Sequence, residues 1–460
     1  MSNNKSKKAA QKPKEYLLKR VIREGDVWTK ASMLVMGIAN LRRKQIVKGL
    51  LFLLTEAAFI FYMAVSGVRA LGNMVTLGTQ TQGWVFDETL GIDVLTEGDN
   101  SMLLLLYGVV CLFMIVFFVF TWRANLKSAL EVQAMEKAGK KVPGLIDDVK
   151  VYLDAKFHRT MLTLPMIGVL AFTVLPLIYM ILVAFTNYDN GHQPPGNLFT
   201  WIGLDNFVTI LGSGSTISRS FWPILGWTII WAVFATVLNY IGGILLALLI
   251  NRKGVKFKGL WRTIFVMSIA IPSFVSLLIM KTMLQPEGAV NVLLKSWGVI
   301  QDSIPFLTNA TLAKVTIIVV NLWIGIPYTM LITSGILMNI PADLYEAARV
   351  DGANARVMFR KITMPYVLFV TTPYLITQFI GNINNFNVIY LLTQGGPSTL
   401  DYYQAGKTDL LVTWLYKLTV TSKDYSYASA IGILVFVISA VFSLITYRRT
   451  SAYNNEEAFQ

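Results

Sequence analysis

Residues 101–122 read SMLLLLYGVVCLFMIVFFVFTW, a run without a charged side chain. A helix needs about 20 apolar residues to cross the hydrocarbon layer of a bilayer, so this run is long enough for one crossing. About eight such runs occur, near Gln45–Ser66, Ser101–Trp122, Met161–Phe185, Trp222–Ile250, Ile264–Leu284, Lys314–Leu337, Tyr366–Leu392 and Ala428–Tyr447. The sequence therefore predicts an all-α polytopic membrane protein with about eight transmembrane helices.

The composition and charge distribution agree with this prediction. The chain is 54% hydrophobic and 14% charged, and its formal net charge is +14. Lys and Arg concentrate in the amino-terminal arm, after the second predicted helix and before the fifth, whereas the loop Gly67–Asn100 carries five acids and Arg69 as its single base. Positive charge collects on the cytoplasmic side of membrane proteins. The basic balance therefore predicts that both termini are cytoplasmic, and it gives no indication of nucleic-acid binding.

Residues that commonly carry catalysis are sparse. The chain has one cysteine, Cys111, and two distant histidines, His158 and His192, which excludes a disulfide and gives no zinc or histidine-based site. Gly406-Lys407-Thr408 imitates the end of a phosphate-binding loop, but Asp401 occupies the position where that motif requires glycine. We therefore expect no nucleotide site and no cofactor in this chain. A lone acid in the first helix, Glu56, indicates either local pairing or proton coupling.

The predicted organisation has four parts. Residues 1–44 form a basic cytoplasmic arm, in which Met1–Lys14 is predicted to be disordered. Within that arm Glu15–Lys44 is either an amphipathic helix on the inner membrane face or a solvated extension. Residues 45–160 form a transmembrane hairpin with a cytoplasmic linker, and its first run is an anchor because no cleavage pattern follows it. Residues 161–450 form a denser core, and 451–460 form a cytoplasmic tail.

The cytoplasmic stretch 341–365, between the sixth and seventh predicted helices, reads PADLYEAARVDGANARVMFRKITMP. It predicts a short helix, Asp343–Val350, that ends at Gly352. Small side chains at Ala347 and Ala348 let another backbone approach, and Glu346 and Asp351 provide carboxylates. A simple connector would not need all of these residues together.

This stretch, with Glu346, Ala347, Ala348, Asp351 and Gly352 at these spacings, resembles the EAA loop of binding-protein-dependent ABC importer permeases. The resemblance implies that the loop is the coupling helix, which sits in a cleft of a separate ATPase. It also implies the partners: a second, MalG-like permease subunit, a MalK-like ATPase homodimer that binds ATP and magnesium, and an extracytoplasmic sugar-binding protein.

Further stretches resemble sugar permeases with a type I (MalF/MetI-like) core, among them Leu175-Pro176, Phe185–Tyr188, Trp201–Phe207 and Leu392–Pro397. The additional amino-terminal hairpin resembles the MalF-type subunits of maltose/maltodextrin importers. The best-known members have a large extracytoplasmic domain between helices three and four, where this chain has only Asn187–Phe221. The resemblance implies a permease subunit in the bacterial cell membrane that forms half of a translocation pathway for an oligosaccharide.

A sugar site is predicted in the seventh and sixth helices. Gln378, Asn382 and Asn385 follow i, i+4, i+7 spacing, which places them on one helix face, and Gly381 lies beside them. Such amides suit sugar hydroxyls, although they also serve as hydrogen bonds between helices. In the sixth helix Pro327 frees the Trp323 carbonyl, beside the Trp323 and Tyr328 rings. The resemblance implies that the sugar site is lined by Gly325, Tyr328, Gln378, Gly381, Asn382 and Asn385.

Two other classes of protein compete with this interpretation. An ion-coupled secondary sugar transporter would have several carboxylates within the membrane and a repeated architecture. A membrane enzyme would need a convergent set of acids, bases or metal ligands. Neither pattern is present in the sequence, which does not specify the oligosaccharide.

Overall fold

A computed structural model describes residues 17–252 and 254–448. These residues form two compact units. The first unit contains the described part of Met1–Leu182 together with Gly191–Trp201, and the second contains Val183–Asn190 together with the described part of Ile202–Gln460. The predicted disorder of Met1–Lys14 and the predicted tail 451–460 lie outside the described residues.

The first unit is helical apart from one hairpin. Its elements are α1 (Leu17–Glu24), α2 (Val27–Ala31), α3 (Ile38–Arg42), α4 (Ile46–Tyr62), α5 (Val68–Thr76), β1 (Gly83–Asp87), β2 (Ile92–Thr96), α6 (Ser101–Lys137), α7 (Leu145–Leu153), α8 (Phe157–Val169) and α9 (Leu175–Val183). Single π-helical turns, Met63–Gly67 and Leu170–Val174, join α4 to α5 and α8 to α9.

The second unit consists of helices and their connecting loops. They are α10 (Asp205–Leu211), α11 (Thr216–Asn251), α12 (Lys258–Ala270), α13 (Ser273–Met283), α14 (Ala289–Ser296), α15 (Ala310–Met338), α16 (Ala342–Val350), α17 (Ala355–Met358), α18 (Met364–Ile383), α19 (Phe386–Thr393), α20 (Leu411–Val420) and α21 (Tyr425–Arg448). A π-helical turn, Phe359–Thr363, joins α17 to α18.

Among the described residues, six helices are long and apolar enough to cross a membrane. They are Ile46–Thr76, Ser101–Lys137, Phe157–Val183, Thr216–Asn251, Ala310–Met338 and Tyr425–Arg448. A seventh candidate is the pair α12 and α13, which is bent by 86°. Six of the predicted runs are thus continuous helices, and the other two are interrupted.

Both interruptions have local causes. Ile271 precedes Pro272 and adopts an extended conformation with φ −78° and ψ 125°, as expected for a residue whose helical conformation the proline ring disfavours. The run Tyr366–Leu392 breaks after Ile383, where Asn385 leaves the helical conformation and begins α19 as its N-cap. The prediction of one continuous helix over Tyr366–Leu392 was therefore wrong.

The loop before α6 contains a β-hairpin that the sequence analysis did not predict. Strands β1 and β2 are antiparallel, with Gly83 paired to Thr96 and Asp87 paired to Ile92. The Asp87 carboxylate accepts hydrogen bonds from the backbone N–H groups of Thr89 and Leu90 and so closes the turn. This hairpin is the one departure from the all-α prediction among the named elements.

The amino-terminal arm is folded differently from both predictions, and its location on the inner membrane face stays a prediction. Three short helices, α1 to α3, replace the single amphipathic helix. They are not a solvated extension either, because they fold onto the end of α6 through hydrogen bonds to Asn125, Ser128 and Gln133. Tertiary contact has thus divided one amphipathic segment into three.

In the second unit, α11 packs closely against both α15 and α18. Gly243 on α11 approaches Thr329 on α15, and Gly325 on α15 approaches Asn239 on α11, so closely that a Cβ on either glycine would overlap its neighbour. Such contacts between small residues are the usual basis of helix association in membranes. Helix α11 also contacts α18, where the Tyr240 hydroxyl lies 2.6 Å from the Thr371 hydroxyl.

Candidate functional site

The segment predicted to couple to an ATPase forms the short helix that the sequence predicts. Helix α16 extends over Ala342–Val350, and Gly352 has φ +78°, in the left-handed region that glycine adopts without strain. The Gly352 N–H donates to the Arg349 carbonyl at 3.0 Å, and the Ala353 N–H donates to the Ala348 carbonyl at 2.8 Å. These two hydrogen bonds form a Schellman motif, which ends the helix at a defined residue.

Helix α16 presents an exposed surface. None of its residues is buried, and Val350 is 88% exposed. The side chains of Glu346 and Ala347 are exposed, as are Asp351 and Gly352, whereas Ala348 is half-buried. The segment is nevertheless fixed to the core, because the Tyr345 hydroxyl lies 2.8 Å from that of Thr363 at the base of α18. An exposed helix held by its base is suited to contact another protein.

Three of the predicted sugar-site residues meet at one cavity of about 40 Å³. Gly325 and Tyr328 contribute from α15 and Gln378 contributes from α18. The other lining residues are Ala235, Thr236, Asn239, Tyr240, Thr329, Tyr374 and Leu375. Pockets for drug-sized ligands measure about 300 Å³ or more, so this cavity is too small to hold a whole oligosaccharide.

The other three predicted residues do not line this cavity. Asn382 is buried, and its amide nitrogen donates to Thr236 Oγ1 at 2.9 Å. Asn385 accepts from the Val388 N–H at 3.2 Å as the N-cap of α19, so it does not continue the helix face of Gln378. Gly381 is exposed, with open space where a Cβ would lie. The prediction that the three amides share one helix face was therefore wrong for Asn385.

The two rings of the sixth predicted helix line different spaces. Tyr328 lines the small cavity, and its ring centroid lies 6.1 Å from that of Tyr374. Trp323 is 59% exposed and lines a separate apolar groove between α15 and the bent pair α12 and α13. Tyr328 follows Trp323 by five positions, a rotation of about 500°, so the two rings point about 140° apart on different faces of the helix.

Helix α11 contributes three cavity residues that the sequence analysis missed. Thr236, Asn239 and Tyr240 project into the cavity, and the Oδ1 atom of Asn239 is buried without a hydrogen-bond partner among the described residues. Their i, i+3, i+4 spacing in an apolar run was a detectable signal, because polar residues at that spacing share one helix face.

Two ambiguous signals are resolved by local contacts. Glu56 Oε2 accepts a hydrogen bond from the Met36 N–H at 2.7 Å, which favours local pairing over proton coupling. In the stretch that imitates a phosphate-binding loop, the Lys407 ammonium pairs with Asp401 at 2.9 Å, and the Thr408 backbone carbonyl accepts from the Trp227 indole at 3.1 Å. Glu56, Lys407 and Thr408 therefore each have a partner within the fold.

Comparison with known proteins places the chain in a family. The profile described as "Binding-protein-dependent transport system inner membrane component" matches residues 239–449. The maltodextrin transport system permease protein MdxF of Bacillus subtilis (strain 168) is 35% identical over 432 residues, which cover 92% of this chain and 95% of that protein. The chain belongs to the binding-protein-dependent ABC importer permeases. This membership decides against the ion-coupled alternative, and the family consists of membrane subunits, not enzymes.

Other permeases show similar agreement. The galactooligosaccharides transport system permease protein GanP of Bacillus subtilis (strain 168) is 34% identical over 427 residues, 92% of this chain and 97% of that protein. The maltose/maltodextrin permease MalF of Klebsiella aerogenes is 35% identical, over 59% of this chain and 53% of its own length. A solved bacterial ABC transporter for the acidic polysaccharide alginate matches 65% of this chain and 96% of its own, with 27% identity and a TM-score of 0.55.

Proposed function

We propose that this permease imports a neutral oligosaccharide, of the maltodextrin or a related type, and forms half of its pathway. The proposal rests on one observation: the single helix α18 contacts both the exposed coupling helix and the cavity. Its base is joined to the exposed coupling helix through Thr363 and Tyr345, and further along the same helix Tyr374 and Gln378 line the polar cavity. The 15 residues from Thr363 to Gln378 span roughly 22 Å of helix. A displacement at the coupling helix is thereby carried to the cavity.

The chemistry of the cavity supports a neutral ligand. Among the described residues, those that line it carry amide and hydroxyl groups but no carboxylate, ammonium or guanidinium group. Gln378, Asn239 and Tyr328 offer donors and acceptors for sugar hydroxyls. Neutral hydrogen bonds contribute about 1 kcal/mol each, so the ligand is held weakly enough to leave. We propose that Gly325, Tyr328 and Gln378 contact the sugar directly, and that Gly381, Asn382 and Asn385 support the pathway around it.

The proposed partners follow from the exposed coupling helix and from the family. Glu346, Ala347, Ala348, Asp351 and Gly352 would contact one copy of an ATPase homodimer, which binds ATP and magnesium in place of this chain. A second permease subunit would complete the cavity. A sugar-binding protein would deliver the ligand, as the solved complex of the alginate transporter with its periplasmic protein illustrates for a relative. We place the chain in the bacterial cell membrane with both termini cytoplasmic.

The proposal is tested by reconstituting the four-subunit complex in vesicles with ATP inside. We expect uptake of maltotriose or a galactooligosaccharide to require internal ATP and the binding protein, and to persist in a proton ionophore. The isolated chain should hydrolyse no ATP. Uptake that continues without ATP and stops with the ionophore would contradict the proposal, and preferential uptake of alginate oligosaccharides would contradict the neutral ligand.

A further inference from the structure

The arm Leu17–Lys44 has an unusual distribution of polarity. Four of its polar side chains, Thr29, Ser32, Asn40 and Arg43, are at most 5% exposed. Large apolar side chains lie on its outside, and Leu34 is 84% exposed. In a segment surrounded by water, apolar side chains are buried and polar ones are exposed. The outside of this arm is therefore suited to an apolar surrounding.

The buried polar groups attach the arm firmly to α6. Asn125 Oδ1 accepts from the Gly37 N–H at 2.9 Å, and Asn125 Nδ2 donates to the Ser32 carbonyl at 2.8 Å. About two turns further along the helix, Gln133 Oε1 accepts from the Asp26 N–H and Gln133 Nε2 donates to the Glu24 carbonyl. Polar groups with satisfied partners hold a segment in one arrangement. The stretch 24–40 of the arm is thus held against α6.

The hydrogen bond of Trp122 indicates how deep residues 33–36 of the arm lie relative to the membrane. Trp122 ends the uncharged run 101–122, and tryptophan at such an end typically lies at the membrane–water interface. Its indole N–H donates to the Met33 carbonyl at 3.0 Å. Three residues later, the Met36 N–H donates a hydrogen bond to the Glu56 carboxylate of α4. Phe59, one turn further along α4, stacks on Phe118 of α6 with ring centroids 4.0 Å apart. Residues 33–36 therefore lie at the interface, between two membrane-crossing helices.

The charge of the arm indicates the kind of membrane surface. The arm contains seven Lys and Arg residues against Glu24 and Asp26. Six of the cations are exposed: Lys19, Arg20, Arg23, Lys30, Arg42 and Lys44. Cations beside a membrane are attracted to anionic headgroups, at about 1 kcal/mol per residue. An apolar face with a cationic rim matches the boundary between acyl chains and anionic headgroups.

We propose that the outer face of the arm, consisting of Leu18, Ile22, Val27, Trp28 and Leu34, is inserted into the headgroup region of a leaflet rich in anionic lipid. The occupant of this face is the lipid surface. The polar interior fastens the arm to α6, and the apolar exterior fastens it to the bilayer, so the arm anchors the amino-terminal hairpin at a fixed depth. The inference does not depend on the transported sugar, and only the choice of the cytoplasmic leaflet rests on the proposed topology.

The test uses the assembled transporter in vesicles that contain phosphatidylglycerol. Replacing the single cysteine of this chain, Cys111→Ala, leaves no other cysteine in it to react with a nitroxide label. The label is then attached at Leu34→Cys. The control is a label at Lys140→Cys, an exposed position just after α6 ends. We expect the label at Leu34 to collide more often with oxygen, which concentrates in lipid, than with a water-soluble nickel chelate. The label at Lys140 should show the reverse preference.

Two outcomes at Leu34 overturn the proposal. A preference for the nickel chelate, as at Lys140, would place the arm in water, and poor access to both reagents would show that a protein subunit covers the face. The anionic requirement is tested with a label at Leu18→Cys. Its oxygen preference should fall several-fold in vesicles of phosphatidylcholine alone, or when Lys19, Arg20 and Arg23 are replaced by Gln, and an unchanged preference overturns that requirement.

Discussion

The side-chain amide of Asn382 donates a hydrogen bond to the hydroxyl of Thr236, 2.9 Å away on α11. The backbone carbonyl of the same Asn382 accepts from the Trp231 indole N–H at 3.0 Å. One residue of α18 thus bonds twice to α11, in a buried position. Of the two predicted roles for this amide, the geometry favours the link between helices over direct contact with sugar.

This link gives the first prediction. Asn382→Ala and Thr236→Val should each lower the stability of the assembled complex by about 1 kcal/mol, the net contribution of one hydrogen bond. The double variant should lose less than the sum, because both substitutions remove the same interaction. Thermal unfolding of complexes with the parent chain, each single variant and the double variant measures the interaction energy between the two side chains. Strictly additive losses would show that the hydrogen bond does not contribute.

Asn385 has a structural role that can be separated from sugar binding. Its side chain caps α19, so Asn385→Ala should destabilise by about 1 kcal/mol, whereas Asn385→Asp should keep the cap. Asp lacks the amide donor. If Asn385 acts as a cap, uptake by Asn385→Asp should equal that of the parent chain while Asn385→Ala is impaired. Equal impairment of both variants would instead indicate that the amide contacts sugar.

The two glycines of the predicted sugar site should respond differently to alanine. A Cβ at Gly325 would overlap the Asn239 side chain, so Gly325→Ala should reshape the cavity and reduce uptake severalfold. Gly381 has open space around it in this chain, so Gly381→Ala should leave the stability unchanged. Uptake and thermal unfolding of both variants are the measurements. Unimpaired uptake by Gly325→Ala would show that the cavity is not on the pathway.

Gly352 is expected to be essential for coupling because of its backbone conformation. No neighbouring atom obstructs a Cβ there, so the cost of adding one comes from φ +78°, and proline would in addition remove the N–H that donates to the Arg349 carbonyl. Asn adopts this conformation far more readily than Val or Pro. We expect Gly352→Asn to retain ATPase co-purification and sugar-stimulated ATP hydrolysis, and Gly352→Val or Gly352→Pro to lose one or both.

A matched control for Gly352 is Gly335, which lies within helix α15 and also has open space for a Cβ. Gly335→Ala should not affect coupling, since alanine favours a helix interior. If Gly352→Pro retains ATPase binding, stimulated hydrolysis and uptake, the segment is only a connector.

The coupling helix could be predicted from sequence almost completely. Its determinants are local: helix-favouring residues from Ala342 to Val350, then a glycine that accepts the left-handed conformation. Hydrogen bonds within a few residues define both the helix and its end.

The candidate sugar site was predictable only in part. Gly325, Tyr328 and Gln378 could be named because they occupy positions that resemble those of the family's sugar site, although Gln378 differs there in residue type. The roles of Asn382 and Asn385 depend on a helix break at Asn384, and a single nearby glycine, Gly381, is too weak a signal to predict that break. The contribution of Asn239 required knowledge of which face of α11 meets Gly325.

The sequence by itself determined that this chain spans a membrane, that most of its apolar runs are continuous helices, and how the helix Ala342–Val350 ends. Those properties follow from hydrophobic run length and from hydrogen bonds between near neighbours, which do not need a partner element. Only the tertiary structure decided that the arm divides into three helices on α6 and that Asn382 joins α18 to α11. Both depend on hydrogen-bonding groups that are 88 and 146 residues apart in the sequence. The residue pattern of one segment does not show which other segment packs against it.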